Sequence, residues 1–185
     1  DKVCLKMYQA FPRDGKGFNK KKSFREKKMT SAFFDKDQKI LTEMFDAFQD
    51  NKVIELISNL INFKNLEADK SLYAGGLSMM SKGDFLNPHI DNSHNVDRNQ
   101  YRRLNLLYYV TPEWHSELGG NFELWDETKN IPKIITSSFN RLIVMETNKS
   151  SWHSVSKILS NKKRCCISNY YYSYLSPDNT KYYHV

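Results

Sequence analysis

Apolar residues recur at three-to-four spacing from about Asp35 to Phe63. Ile40, Met44, Ala47 and Phe48 form one set, and Ile54, Ile57, Leu60 and Ile61 a second. This period predicts two amphipathic helices, with a break at Asp50-Asn51, residues that favour turns and caps. Neither stretch is apolar all round, so each is expected to pack one face on another layer. Residues 1–30 lack a period; Pro12, Gly15 and Gly17 lead into a basic run, and the segment reads as irregular. After Leu72 the texture changes to short runs of Tyr, Ile, Leu and Val. Turn residues at Gly75-Gly76, Lys82-Gly83-Asp84, Asn92-Ser93, Gly119-Gly120, Asn130 and Asn161 punctuate them. Evenly spaced strands of this kind predict a sandwich or small barrel. The expected architecture is α+β in a single domain over 1–185. A basic loop and helical layer (1–71) would support an all-β core (72–185).

Composition changes this picture little. The chain has 185 residues, enough to close one core, and 39% hydrophobic content with 14% aromatics excludes a disordered chain. No run of 18 apolar residues exists, so no membrane span is expected. The chain begins at Asp1 rather than Met, so it is expected to be part of a longer one, and a removed targeting segment stays open. The net charge of +7 comes largely from residues 13–28, where eight basic residues stand against Asp14 and Glu26. Such a run is expected to be a solvated loop, with a docking patch for an acidic partner as the alternative. The odd set Cys4, Cys165 and Cys166 lacks a Cys-x-x-Cys pair. Small core thiols in a reducing, cytoplasmic setting are the expectation.

Candidate chemistry centres on Asn87-Pro88-His89-Ile90-Asp91-Asn92-Ser93-His94. If 86–91 is extended, His89 and Asp91 share a face, and Pro88 limits the segment to an edge or strand end. A third ligand would come from Ser151-Trp152-His153-Ser154-Val155, which follows the apolar strand Arg141–Glu146 and a turn at 148–150. Two imidazoles and one carboxylate make the facial triad of non-heme iron, which leaves positions open for co-substrate and oxygen. Such iron needs a reductant, most commonly 2-oxoglutarate, whose far carboxylate needs a fixed cation. Arg164 opens the strand Arg164–Tyr172 and suits a carboxylate through its planar fork. By alternation Arg164, Cys166, Ser168 and Tyr170 share one face, and Cys165, Ile167, Asn169 and Tyr171 the other. On the strand Arg103–Val110, Asn105, Leu107 and Tyr109 share a face, so Tyr109 could join Arg164 on the co-substrate.

Taken in order, these residues form a recognisable series. It runs through His89-x-Asp91, Leu106-Leu-Tyr-Tyr-Val-Thr-Pro-Glu-Trp114, Gly119-Gly-Asn-Phe-Glu-Leu-Trp125, Phe139–Glu146, His153-Ser-Val155 and Arg164. The series resembles the prolyl-4-hydroxylase-like branch of the 2-oxoglutarate/Fe(II)-dependent oxygenases, from about Leu72 to Ser173. The resemblance implies a double-stranded β-helix (jelly-roll, cupin-like) core, metal ligands at His89, Asp91 and His153, and co-substrate anchors at Arg164 and Tyr109. Asn105 and Leu107 would line the same co-substrate pocket. It also implies Fe(II), 2-oxoglutarate and O2 as reactants, with ascorbate as an auxiliary reductant, and hydroxylation of a C–H bond with succinate and CO2 as co-products. The retained Asp91 favours hydroxylation, since halogenating relatives lose this carboxylate. Where relatives often carry a second tyrosine, this chain has Met79 and Met80.

The substrate is expected to be a small molecule or a peptide side chain. Nucleic-acid demethylation is disfavoured because the position six residues after Arg164 is Tyr170 rather than a second arginine, and the lysine run lacks interleaved aromatics. His94, Arg103 and Tyr170 are the candidate substrate contacts, while His115 and His184 read as surface residues. A non-catalytic metal-binding jelly roll serving as sensor or scaffold is the alternative. The oligomeric state is not legible.

Overall fold

The computed structural model describes residues 1–32, 38–73, 75–97, 99–126, 128, 130–177 and 179–183. His184 lies outside them, as does the helix start expected near Asp35. Three α-helices, one short 3-10 helix (Ser116–Leu118) and eleven strands are found among the described residues. The α-helices are α1 (Lys2–Ala10), α2 (Lys39–Gln49) and α3 (Asn51–Ile61). The strands are β1 (Asn19–Lys22), β2 (Glu26–Ser31), β3 (Glu67–Ala68), β4 (Gly76–Met80), β5 (Phe85–His89), β6 (Tyr101–Tyr109), β7 (Phe122–Leu124), β8 (Lys133–Ile135), β9 (Arg141–Glu146), β10 (His153–Val155) and β11 (Arg164–Ser173). The break between α2 and α3 falls where the period predicts it. Asp50 caps α3, its carboxylate accepting from the Lys52 N–H at 2.8 Å, and Asn62 ends that helix in the left-handed region.

The strands form one curled sheet in the order β8-β7-β10-β5-β2-β4-β11-β6-β9, a double-stranded β-helix. Alternation along β11 separates its two faces. Cys165 and Ile167 pack with Cys4, Met7, Phe11, Leu41 and Phe45 of the helical layer, and Tyr171 packs with Phe48 and Ile57. Leu41 and Phe45 are 0% and 4% exposed, so each contributes on the order of 2–3 kcal/mol by burial. Arg164, Cys166, Ser168 and Tyr170 face the hollow of the sheet. All three cysteines are free and buried, as small core thiols should be.

The reading of residues 1–30 as irregular needs correction. α1 occupies the start, and the basic run folds into the β1–β2 hairpin, with β2 inserted between β5 and β4. Met29 packs against the core cluster under the helices, and Ser31 is buried. One apolar anchor, Met29, in a lysine-rich strand is too little for periodicity to reveal it. The sheet therefore crosses the boundary drawn at 71/72.

Candidate active site

Antiparallel pairing of β5 with β10 sets His153 directly opposite His89, with ring centroids 4.1 Å apart. The ladder slips between His153 and Val155. Pro88, which cannot donate to a ladder, sits at this irregular strand end. Asp91 follows two residues after His89, on the same side. One donor atom from each of His89, Asp91 and His153 lies within 4.8 Å of the others.

The hydrogen bonds fix which nitrogens face inward. Nδ1 of His89 lies 2.8 Å from the Asn87 carbonyl, and Nδ1 of His153 lies 2.9 Å from the Ser151 carbonyl. A carbonyl only accepts, so Nδ1 carries a proton in both rings, and in the neutral form that ligates a metal each Nε2 presents a lone pair. Each Nε2 stands 3.6 Å from an Asp91 oxygen, long for a hydrogen bond. Burial pushes the His153 imidazole down to about 4, against the pull of Asp91, so it is neutral at physiological pH. Burial would push Asp91 up, but neighbouring His153 and Arg102 and the His89 contact outweigh it. Its carboxyl is held well below the usual carboxylate range. Two lone-pair nitrogens converging on a carboxylate are the donor set of a divalent metal, and the two backbone carbonyls fix the rings in the ligating tautomer.

Deeper in the hollow lies a cavity of about 90 Å³, reached from the triad and lined also by Leu107, Tyr109, Phe122, Arg164, Cys166 and Ser168. Arg164 is 3% exposed, yet no carboxylate pairs with it among the described residues. Its Nε donates to Ser137 Oγ at 3.1 Å, one Nη to Tyr109 Oη at 3.1 Å and the other to Met80 Sδ at 3.3 Å. The Tyr109 ring lies 4.6 Å from the guanidinium carbon, and burial raises its hydroxyl to about 12, keeping it a donor. A buried guanidinium held only by neutral groups calls for an anion. Gly120 makes room for it: a Cβ there would meet Arg164 Cδ at 2.7 Å.

A second cavity of about 550 Å³ opens outward from the triad, between the β1–β2 hairpin and the Arg102, Ser168 and Tyr170 side chains. Arg102 is buried, 3.2 Å from Asp91 Oδ2, with its guanidinium 4.1 Å above the Tyr170 ring. Asn105 Nδ2 donates to the same oxygen at 2.6 Å, so its amide sits on Asp91 rather than at Arg164.

Of the expected substrate contacts, Tyr170 lines both cavities. Arg103 and His94 line neither. Arg103 stacks on Phe63, 4.6 Å from its ring, and donates to the Leu175 carbonyl at 3.3 Å. His94 is buried beside Ser93 and the Tyr183 ring. Strict alternation from Asn105 would point Arg103 inward, but β6 carries a bulge. Leu104 pairs with Tyr171 and Arg102 with Tyr172, leaving Arg103 as the extra residue. The parity flips there, and Arg102 takes the inward place. Sequence reasoning thus took Arg103 in place of its neighbour Arg102, and missed the roles of Ser137 and Gly120. A bulge leaves no periodic trace, and Ser137 reaches the site from the irregular stretch between β8 and β9.

Comparison with known proteins supplies the context. The sequence model of the 2OG-Fe(II) oxygenase superfamily matches residues 75–172, more than half of the chain. Prolyl 3-hydroxylase OGFOD1 of Mus musculus is 34% identical over 82 residues, covering 41% of this chain and 15% of the relative. The Xenopus laevis protein of that name is 30% identical over 82 residues, covering 41% and 16%. The chain thus spans about a sixth of the length of the curated relatives it matches. Among solved structures, a Trichoplax adhaerens prolyl hydroxylase in complex with a hypoxia inducible factor peptide fragment superposes with TM-score 0.68 at 18% identity, covering 94% of this chain and 79% of that one. A Pseudomonas putida prolyl-4-hydroxylase gives 0.66 at 12% identity, covering 92% and 85%.

Proposed function

The chain belongs to the 2OG-Fe(II) oxygenase superfamily, and from that premise we propose that it hydroxylates proline within a peptide. His89, Asp91 and His153 would hold Fe(II), and Arg164, Tyr109 and Ser137 would bind the far carboxylate of 2-oxoglutarate. The bound metal, with 2-oxoglutarate and O2, supplies oxidative decarboxylation to succinate and CO2 coupled to C–H hydroxylation, with ascorbate as auxiliary reductant. The names of the Mus musculus and Xenopus laevis relatives support proline as the target. The single observation that carries the reading is the paired convergence. Two imidazoles and a carboxylate meet at one spot, and a buried guanidinium with no carboxylate partner among the described residues stands in the adjoining cavity.

The chain's own residues divide the work. The Asn87 and Ser151 carbonyls hold the imidazoles in the ligating tautomer. Asn105 and Arg102 hold one Asp91 oxygen, which orients the carboxylate and keeps it ionised. Arg164 and Tyr109 orient the co-substrate by charge-assisted hydrogen bonds. Leu107, Phe122 and Val155 exclude water from its path. Tyr170 and Arg102 form the floor on which the peptide lies. The free buried cysteines support a reducing compartment, and we place the protein in the cytoplasm. Among the described residues no helix is long and apolar enough to cross a membrane.

Two measurements test the reading. An anaerobic visible spectrum with Fe(II) should gain a weak charge-transfer band when 2-oxoglutarate is added, and His153→Ala should abolish it. Proline-containing peptides should then stimulate succinate release and gain the mass of one oxygen on proline. Stimulation with oxygen appearing only on a different residue would sink the proline assignment.

A further inference from the structure

The β1–β2 hairpin is a basic element whose two faces do different things. Its rungs pair Asn19 with Thr30, Lys20 with Met29, Lys21 with Lys28 and Lys22 with Lys27. On the outer face Lys27 is tied to Asp84 at 3.2 Å, and Met29 packs into the core. The inner face presents Asn19, Lys21, Glu26, Lys28 and Thr30 to the outer cavity. Lys28 also lines the inner cavity, so it stands at the junction between the two.

Like charges directly opposite on paired strands destabilise the pair. The Lys21–Lys28 rung carries this cost at the cavity wall. Lys28 is offset by Glu26, 2.8 Å away. Lys21 is exposed, and no acid pairs with it among the described residues. Across the cavity Asp91 is already paired with Arg102. One positive charge therefore remains uncompensated at the rung, flanked by the neutral hydrogen-bonding side chains of Asn19 and Thr30. A single charge matches a monoanionic carboxylate better than a phosphate dianion, which would leave one negative charge unbalanced beside Glu26. Resting on the peptide reading above, we propose that the Lys21–Lys28 rung is a specificity site that binds a Glu or Asp side chain flanking the reacting proline, so the substrate is an acidic peptide segment.

Fluorescence anisotropy of three labelled, proline-centred peptides tests this on the protein loaded with Fe(II) and 2-oxoglutarate under anaerobic conditions. The peptides differ only in carrying Glu, Gln or Lys around the proline. The Glu peptide should bind about tenfold more tightly than the Gln peptide at low salt, with the gap closing as salt rises. Lys21→Gln should remove the preference, and Lys21→Glu should invert it towards the Lys peptide. Lys22→Glu makes the same charge change on the opposite face of an exposed hairpin, and should leave the preference intact. Equal affinity for the three peptides, no binding of any, or an equal effect of Lys21→Glu and Lys22→Glu would overturn the proposal. So would displacement of the Glu peptide by a uridine oligonucleotide at lower concentration, which would make nucleic acid the ligand. A Glu preference without succinate release upholds the rung while sinking the hydroxylase reading. Succinate release alike with all three peptides does the reverse.

Discussion

Two buried arginines face the same hollow and live under opposite conditions. Arg102 and Arg164 are 4% and 3% exposed, and each lies over a tyrosine ring. Arg102 is balanced within the chain by Asp91 at 3.2 Å. Arg164 touches a serine hydroxyl, a tyrosine hydroxyl and a thioether, and its charge is met by no carboxylate among the described residues. A protein keeps a buried charge when something repays its desolvation. For Arg102 the repayment is structural, because it fixes a ligand. For Arg164 it must come from a bound anion. On the proposed function, the outer arginine would support the metal and the inner one would hold the co-substrate.

The largest effect that would test this division is on co-substrate binding. Arg164→Met should weaken 2-oxoglutarate by about 10²- to 10³-fold, the cost of removing one partner of a buried charge-assisted pair. Fe(II) affinity should stay within a few-fold. Titration of each ligand separately decides it, and a parallel loss of Fe(II) would break the comparison. Arg102→Met should do the reverse, costing about 10- to 100-fold in metal affinity because the support of a ligating carboxylate is lost. Its 2-oxoglutarate affinity, measured on metal-saturated protein, should change little. Gly120→Ala comes next. Its methyl would press on Arg164 Cδ and Ile158, displacing the guanidinium without removing it, and about a tenfold loss of 2-oxoglutarate affinity is expected. An unchanged affinity would show that Arg164 can relax.

Much of this site was legible in the sequence. That His89, Asp91 and His153 come together, and that Arg164, Tyr109, Leu107 and Tyr170 line one hollow with them, could be expected from strand parity, residue order and the family resemblance. What alternation could not see is what breaks it. One extra residue at Arg103 exchanges two neighbouring arginines between the helical side and the cavity. The helices at 39–61 were readable because packing one face on a sheet imposes a 3.6-residue period. The β1–β2 hairpin was not, because its inner face borders a cavity and needs no apolar residues. A strand selected for polar contacts looks like a solvated loop when only hydrophobicity is read. Asn105 shows a related limit. Its face was read correctly and it lines the inner cavity, but alternation did not show that its amide donates to Asp91, because a face does not specify how far along the hollow an amide reaches.

The smallest effect separates the arginines through protons instead of ligands. In the metal-free protein His153 binds its proton more weakly folded, at about 4, than unfolded, near 6.5. Between those values the unfolded chain holds more protons, so stability falls as pH drops below 6.5 and is flat in this respect above it. Over the first pH unit below 6.5 the loss should be about 1 kcal/mol, read by urea denaturation. Asp91 behaves differently in position though not in sign. Its folded carboxyl lies well below 3.8, so its contribution is full above that value and is lost as pH falls from there to the folded value. Arg102 is one of the charges that hold it there. Arg102→Met should therefore raise the Asp91 carboxyl towards its unfolded value and shrink this acid loss, flattening the profile beneath the His153 window. Arg164→Met touches neither group and should leave the shape unchanged. It should also lift the whole metal-free curve by about 1–3 kcal/mol, because an unbalanced buried charge is exchanged for an apolar chain. Profiles that flatten alike in both variants would mean that the two guanidiniums act on Asp91 together, and the division between metal support and co-substrate anchor would be lost.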